Sequence, residues 1–506
     1  MSSIAKSALW VTISEIIFNL SGFVIHAVLG RFLGPADYGR YGIVITLTTM
    51  IIILIGNGIP TAMAKYISEV FETNPRTVLS IKKQAIRLQI MIIGAITVLF
   101  YLTAPLVAQV LNDPTLTPLF RLSTLIIPAF AAASFYFSYY TGLHKFNTQA
   151  TLKTMRSVFR IGLVIGLAFL FQLKGAIAGY IVAPTATFLI ALGIDKLKIG
   201  KIIKKKSNDE ISDTIDFPWQ KLFNYAWQVV IFFLAYELLI SIDLYMVKAI
   251  LKSDSLTGIY NAALTVGRIP YYIFYAMTIF MLPMVSKASV NNNFKNAGPI
   301  ITQALRMMLI LLVPMIVLMS FYSSETLTLL YGKKYIAGAT AMSILEYGVG
   351  FLTIFYVLSF ALNGAGKTKI AMWISTIGVI INTILNYFFI LHFGIIGSAL
   401  ATAITSFFIM LIALYYTKRD FGASINFVEF LKVTFGGILC YFIAYFLPSG
   451  KWLFLLDSIF ITAIYLAVLY LLKGITKKDL EYFQGLLKSR KKEEVEAELS
   501  GNEPGA

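Results

Sequence analysis

The chain has 506 residues, of which 58% are hydrophobic and only 13% charged, and its formal net charge is +17. This composition excludes an ordinary soluble multidomain protein, whose surfaces would need far more polar residues. The lone Cys440 excludes an intrachain disulfide and a thiolate metal site, and the scattered His26, His144 and His392 make no imidazole metal site.

Apolar runs close to the roughly 20 residues that cross a bilayer core occupy 8–29, 41–60, 88–110, 119–141, 155–172, 175–194, 221–246, 259–283, 300–322, 339–363, 370–391, 394–416, 430–448 and 451–472. They predict an all-α polytopic membrane protein with about 14 transmembrane helices. The first run carries Glu15 and Asn19 and lacks an Ala-x-Ala exit, so it reads as a retained span and not a cleaved signal. Glu15 and Asn19 are one helical turn apart, on a face that is costly to turn to lipid. They line a cavity or hydrogen-bond between helices. Residues 30–42 form an outer turn in which Gly34-Pro35 and Gly39 permit a tight reversal. Arg156 and Arg160, at i and i+4, share a face near the start of the fifth span.

The stretch 195–220 begins with six lysines and turns acidic, the pattern of a solvated cytoplasmic linker. Beyond it the seventh span carries Glu237 and ends at Asp243. Arg268 is placed a turn into the eighth, where it contacts phosphate or sugar, reaches the outer interface, or pairs with an acid such as Glu237. Asn382 and Asn386 are one turn apart on the eleventh span, and Ser398 and Thr402 one turn apart on the twelfth. With Asp243 they bring oxygen-only groups from three helices, which suit a hard monovalent cation; the alternative is interhelical hydrogen bonding. The tail 474–506 is charged.

If alternate loops are assigned to one side, about 32 of the 42 lysines and arginines fall there with the N-terminus. The positive-inside rule then puts both termini in the cytoplasm, and the basic excess is orientation signal and headgroup attraction, with no nucleic-acid partner. Four landmarks recur at offsets of about 219 to 223 residues: Gly39-x-Tyr41 with Gly258-x-Tyr260, Pro60 with Pro283, Gly142 to Lys145 with Gly364 to Lys367, and Gly175 with Gly394. Six spans separate the copies, so the halves are parallel repeats. The predicted organisation is a six-helix lobe at 1–194, the linker 195–220, a second six-helix lobe at 221–416, two further helices within 417–473, and the tail.

The turn Gly30-Arg-Phe-Leu-Gly-Pro-Ala-Asp-Tyr-Gly39, the Gly364-Ala-Gly-Lys367 loop, and Asn382-x-x-x-Asn386 followed by Phe393-Gly-Ile-Ile-Gly-Ser-Ala399 resemble the polysaccharide-transport (Wzx-like) flippases. These belong to the multidrug/oligosaccharidyl-lipid/polysaccharide exporter superfamily. The resemblance implies two lobes in a V around a central cavity, and alternating access that moves a polyprenyl-(di)phosphate-linked glycan from the cytoplasmic to the outer leaflet of the cell membrane. It implies a transporter and not an enzyme, with no catalytic residues and no cofactor beyond Na+ or H+ as a coupling ion. Partners would be membrane lipids and glycan polymerases or ligases. Arg268, Glu15, Asn19, Arg156, Arg160 and Glu237 are the cavity candidates. Members close to the lipid II flippases hold sodium with an Asp on the seventh helix, an Asn and an Asp on the eleventh, and groups of the twelfth. Asp243, Asn382, Ser398 and Thr402 match that set, and Asn386 stands where the second acid would be. A multidrug-type cation antiporter and a membrane glycosyltransferase or polymerase are the alternatives. The first usually has twelve spans and cavity acids, the second a large extramembrane domain.

Overall fold

A computed structural model describes residues 3–56, 58–71, 74–199, 201, 217–289, 294–447 and 452–475. Among them all regular structure is helical. In unit 1, Met1–Ser241, the helices are α1 (Ser3–Gly56), α2 (Ile59–Val70), α3 (Pro75–Val110), α4 (Thr117–Ser123), α5 (Ile126–Gly142) and α6 (Phe146–Ile194). Helix α7 (Trp219–Leu251) runs through the boundary into unit 2, Ile242–Ala506. There follow α8 (Asp254–Gly267), α9 (Ile269–Ala288), α10 (Gly298–Phe321), α11 (Ser323–Tyr331), α12 (Ala339–Gly364), α13 (Thr368–Phe421), α14 (Phe427–Phe446) and α15 (Leu453–Leu471). Most of the linker, 202–216, and the tail from 476 lie outside the described residues.

Over their described residues the fourteen apolar runs fall on helix apart from short turns such as 124–125 and 268, several of them sharing one helix. At 1.5 Å per residue, the 54 residues of α13 would extend about 80 Å, far beyond a bilayer core. The chain therefore reverses inside the long helices. α13 breaks at Gly394 (φ 57°, ψ −136°), α6 at Phe171 and Gln172 (φ 53°, ψ −137°), and α1 at Gly34 (φ 74°, ψ 173°). The turn read at 30–42 is thus confined to one residue, because Pro35 has the fixed φ that restarts a helix and no N–H to satisfy.

The backbone makes the repeat explicit and corrects one landmark. Gly394 corresponds to Gln172, with nearly the same φ and ψ, and not to Gly175. Gly175 corresponds to Gly397: a Cβ there would stand 1.9 Å from the Leu167 carbonyl oxygen, and at Gly397 2.0 Å from that of Phe389. Both glycines exist so that two helical arms can meet backbone to backbone. The 142–145 and 364–367 turns also match, since His144 (φ 56°) and Gly366 (φ 75°) are both left-handed. Lys145 N–H bonds to the Tyr140 oxygen at 2.8 Å, and Lys367 N–H to that of Leu362 at 2.9 Å.

Helices α14 and α15 pack on α10 without a counterpart among the described residues of unit 1. A Cβ at Gly437 would lie 2.7 Å from Val313, and one at Gly436 2.7 Å from Tyr465. Arg306 of α10 fixes them, with Nη1 2.8 Å from Glu429 Oε1 and Nη2 donating to the Gly474 oxygen at 3.0 Å.

Candidate functional site

In unit 2, three helices converge on Asp243. Its carboxylate is fully buried on α7, where the Leu244 N–H donates to Oδ1 at 2.8 Å. The Tyr260 hydroxyl of α8 donates to Oδ2 at 2.8 Å, and Thr402 of α13 makes a longer bond to the same oxygen at 3.5 Å. The network continues across the reversal of α13. Asn382 Nδ2 donates to Thr402 Oγ1 at 3.5 Å, Asn386 Nδ2 to Asn382 Oδ1 at 2.9 Å, and Ser398 Oγ to Asn386 Oδ1 at 2.6 Å. All six side chains are buried. The break at Gly394 makes this possible, because it folds the second arm of α13 back so that 398 and 402 face 386 and 382.

The five residues proposed from sequence as a cation site are therefore brought together, with Tyr260 added. Tyr260 entered the sequence argument only as a repeat landmark, and no helical spacing in the sequence pairs it with Asp243. The donor set is one carboxylate, two amide oxygens and three hydroxyls, hard oxygen ligands without nitrogen or sulfur. It suits sodium or another small monovalent ion and supplies one formal charge to offset it. Arg268 caps α8 with φ −83° and ψ −2°, at the junction with α9 and not inside a continuous span. Its guanidinium charge acts on Asp243 and Tyr260.

In unit 1, the first arm of α6 carries Arg156 and Arg160 against α1. Arg156 is 4% exposed, and its guanidinium lies 4.7, 4.6 and 4.8 Å from the ring centres of Phe18, Phe130 and Phe137. Arg160 sits 4.2 Å over Phe18, donates to the Phe18 oxygen at 2.6 Å and bonds Ser21 Oγ. Lys153 lies 5.4 Å over the same ring. Three cations on one helical face are thus stacked on aromatic rings, which offset part of their desolvation. Asn19 is half-buried on α1, and the Glu15 side chain lies outside the described residues. Glu237 accepts from Ser241, one turn on, at 3.3 Å.

The aromatic run 135–140 is core: Phe135, Tyr136, Phe137, Tyr139 and Tyr140 are all buried. Beside it Lys82 pairs with Asp195 at 2.5 Å and lies 4.1 Å over the Tyr139 ring. The first residue of the predicted linker is therefore buried against the helices. Sequence reasoning also passed over Glu346, the one acid in the run 339–363, which is fully buried on α12.

A family model described as polysaccharide biosynthesis protein matches residues 4–289, and one described as MatE matches 229–388. An uncharacterised membrane protein of Methanocaldococcus jannaschii is 23% identical, over 82% of this chain and 84% of its own length. Stage V sporulation protein B of Bacillus subtilis is 24% identical, over 87% and 88%. The probable low-salt glycan biosynthesis flippase Agl15 of Haloferax volcanii is 23% identical, over 51% and 56%. Among solved structures, the lipid II flippase MurJ in an inward closed conformation superposes with a TM-score of 0.73 at 18% identity, covering 92% of this chain and 99% of that one. An inward-facing multidrug resistance MATE transporter gives 0.64 at 12%, covering 80% and 97%. With its helical multi-pass architecture and a match over more than half its length, the chain belongs to the polysaccharide biosynthesis protein family, within the multidrug/oligosaccharidyl-lipid/polysaccharide exporter superfamily.

Proposed function

We propose that the chain flips a polyprenyl-(di)phosphate-linked oligosaccharide from the cytoplasmic to the outer leaflet, coupled to a cation held at Asp243. The observation that carries this reading is the cationic face of Lys153, Arg156 and Arg160 at a membrane-embedded helix. A phosphate linker leaving water needs a compensating charge, and arginine offers paired donors to its oxygens. Fixed positive charge on that face would repel an organic cation. Agl15 and MurJ, both flippases by name, support the substrate class.

The coupling half rests on the oxygen cluster of unit 2. Asp243, Tyr260, Asn382, Asn386, Ser398 and Thr402 would hold sodium, and the ion would supply a charge that changes the packing of α7, α8 and α13 as it enters and leaves. Both termini face the cytoplasm in this reading, and glycan polymerases or ligases at the outer face would consume the product. Reconstitution with a fluorescent polyprenyl-diphosphate sugar tests it. Leaflet exchange should be accelerated over empty liposomes and should depend on a sodium gradient. Exchange no faster than in empty liposomes, with organic cations exchanged for protons instead, would establish the multidrug-type reading that the MatE match over 229–388 favours.

A further inference from the structure

Glu346 is the group that the sodium cluster does not use. It is 0% exposed, and neither carboxyl oxygen has a hydrogen-bond partner among the described residues. Its surroundings are closed by backbone-close packing. A Cβ at Gly348 would lie 2.9 Å from Ala403, and one at Gly350 2.2 Å from Ile316, so α12 is pressed against α13 and α10 around it. An isolated carboxylate in such a place is very costly, and the usual resolution is neutralisation.

The charged groups on the elements packed around α12 are engaged elsewhere or point outward. Lys248 pairs with Asp254 at the start of α8, Arg306 of α10 with Glu429, and Lys367 before α13 with Asp420. Lys287 of α9, Lys333 and Lys334 after α11, and Lys369, His392, Lys418 and Arg419 of α13 are exposed, Arg419 pairing with Asp420, and Glu325 of α11 is half-buried in its first turn. The described phenols on these helices are Tyr260 on α8, which bonds Asp243, Tyr271 and Tyr272 on α9, whose rings meet edge to face, Tyr331 of α11, which packs on Tyr335, and Tyr387, Tyr415 and Tyr416 of α13, of which Tyr387 and Tyr415 are exposed and Tyr416 meets Tyr415. Arg268 is different. A Cβ on Gly267, the residue before it, would be 3.9 Å from Glu346 Oε1, and the Arg268 charge already acts on Asp243. The α8–α9 junction that carries Arg268 thus backs onto Glu346, while its guanidinium charge acts on Asp243.

We propose that Glu346 is a proton-binding site, protonated in this conformation and ionising when Arg268 turns from Asp243 towards it. The exchange balances in charge. A sodium ion arriving at the Asp243 carboxylate frees the guanidinium, Glu346 loses its O–H proton to water, and the new carboxylate pairs with Arg268. One cation enters as one proton leaves, and unit 2 never carries an unpaired buried charge. This second half rests on the sodium reading of the Asp243 cluster; the protonated carboxyl does not. At the offset of 222 shared by the ends of these helices, Glu346 falls on Thr124, a hydroxyl satisfied by the Arg121 oxygen at 2.7 Å. The proton site is therefore specific to unit 2.

Infrared spectroscopy of the whole chain in lipid tests the proposal. The parent should show the C=O stretch of a protonated carboxylic acid that Glu346→Gln, a same-shape neutral change, removes; identical bands in the two proteins would overturn it. In weak buffer, sodium should release one proton per chain from the parent and none from Glu346→Gln or Asp243→Asn. Sodium that leaves the parent's band unchanged would overturn the exchange with Arg268. If only the sodium reading is wrong, the band persists in Asp243→Asn and is still lost in Glu346→Gln. Glu346→Asp, which shifts the band without removing it, covers the case in which the glutamine variant fails to fold.

Discussion

The two units place hydroxyl groups at matching positions and use them differently. Tyr41 and Tyr260 are 219 residues apart, and Tyr180 and Thr402 are 222 apart. In unit 1 the Tyr41 and Tyr180 hydroxyls meet directly at 2.9 Å. In unit 2 their counterparts both turn to the carboxylate of Asp243, at 2.8 and 3.5 Å. At the first of these offsets Asp243 falls on Val24, which has no polar atom to offer. A duplicated scaffold thus supplies the same helix contacts twice, and one added acid converts the second copy from a packing contact into a charged site. His26 of unit 1, bonded to Tyr38 at 2.8 Å, belongs to the packing version.

The part of this comparison that should fail most severely is the shared scaffold. At Gly175 and Gly397 a methyl group would fall within about 2 Å of a carbonyl oxygen of the opposing arm. Overpacking of this kind costs about 1–3 kcal/mol even where side chains can move, and here the obstacle is backbone. Gly175→Ala and Gly397→Ala should each lower folded yield and melting temperature in detergent strongly and to a similar degree. A variant that melts with the parent would break the equivalence of the two reversals.

Asp243→Asn comes next and should be confined to unit 2 chemistry. It removes the single formal charge of the cluster, and the sodium affinity governing transport should fall at least about tenfold, roughly 1.4 kcal/mol. Asn386→Asp should do the opposite, because it restores a second acid at the position where the lipid II flippase pattern has one. Sodium titration of transport in proteoliposomes measures both. Sodium dependence unchanged in Asp243→Asn would return the cluster to a packing role.

Much of this was legible in the sequence because it depends on local chemistry. Span length follows from apolar runs, and Asn382 with Asn386, or Ser398 with Thr402, share a face by helical spacing alone. The turn at His144 was found from its glycine-rich twin at Gly366. Gln172 was not legible as a reversal, because nothing in a glutamine announces a positive φ; only its equivalence to Gly394 reveals it. Tyr260 is 17 residues from Asp243 on a different helix, and that pairing depends on how α7 and α8 cross. Glu346 was overlooked because an acid inside an apolar run changes the run's hydropathy little, although its cost in a membrane is large.

A smaller effect should separate the two hydroxyl pairs. Tyr260→Phe removes a hydrogen bond to a carboxylate, worth about 1.5–3 kcal/mol, whereas Tyr41→Phe removes a neutral one, worth about 0.5–1.5 kcal/mol. Tyr260→Phe should therefore lower the sodium affinity and the melting temperature, and Tyr41→Phe the melting temperature alone and by less. Equal effects on sodium affinity would mean that both pairs serve the same site.

The smallest predicted effect concerns backbone alone. Gln172 holds φ 53° and ψ −137° with an exposed side chain, and Gly394 holds φ 57° and ψ −136° without a Cβ. A non-glycine residue in that region stores about 1–3 kcal/mol of strain. Glycine would return about 0.5–1 kcal/mol of this through its freer unfolded chain. Gln172→Gly should therefore stabilise the protein by about 1 kcal/mol, and Gly394→Gln should destabilise it by a similar amount. Thermal melts in one detergent decide the matter. If Gln172→Gly is destabilising, the glutamine makes a contact at the reversal that offsets its strain, and unit 1 then has a use for that residue that unit 2 does not share.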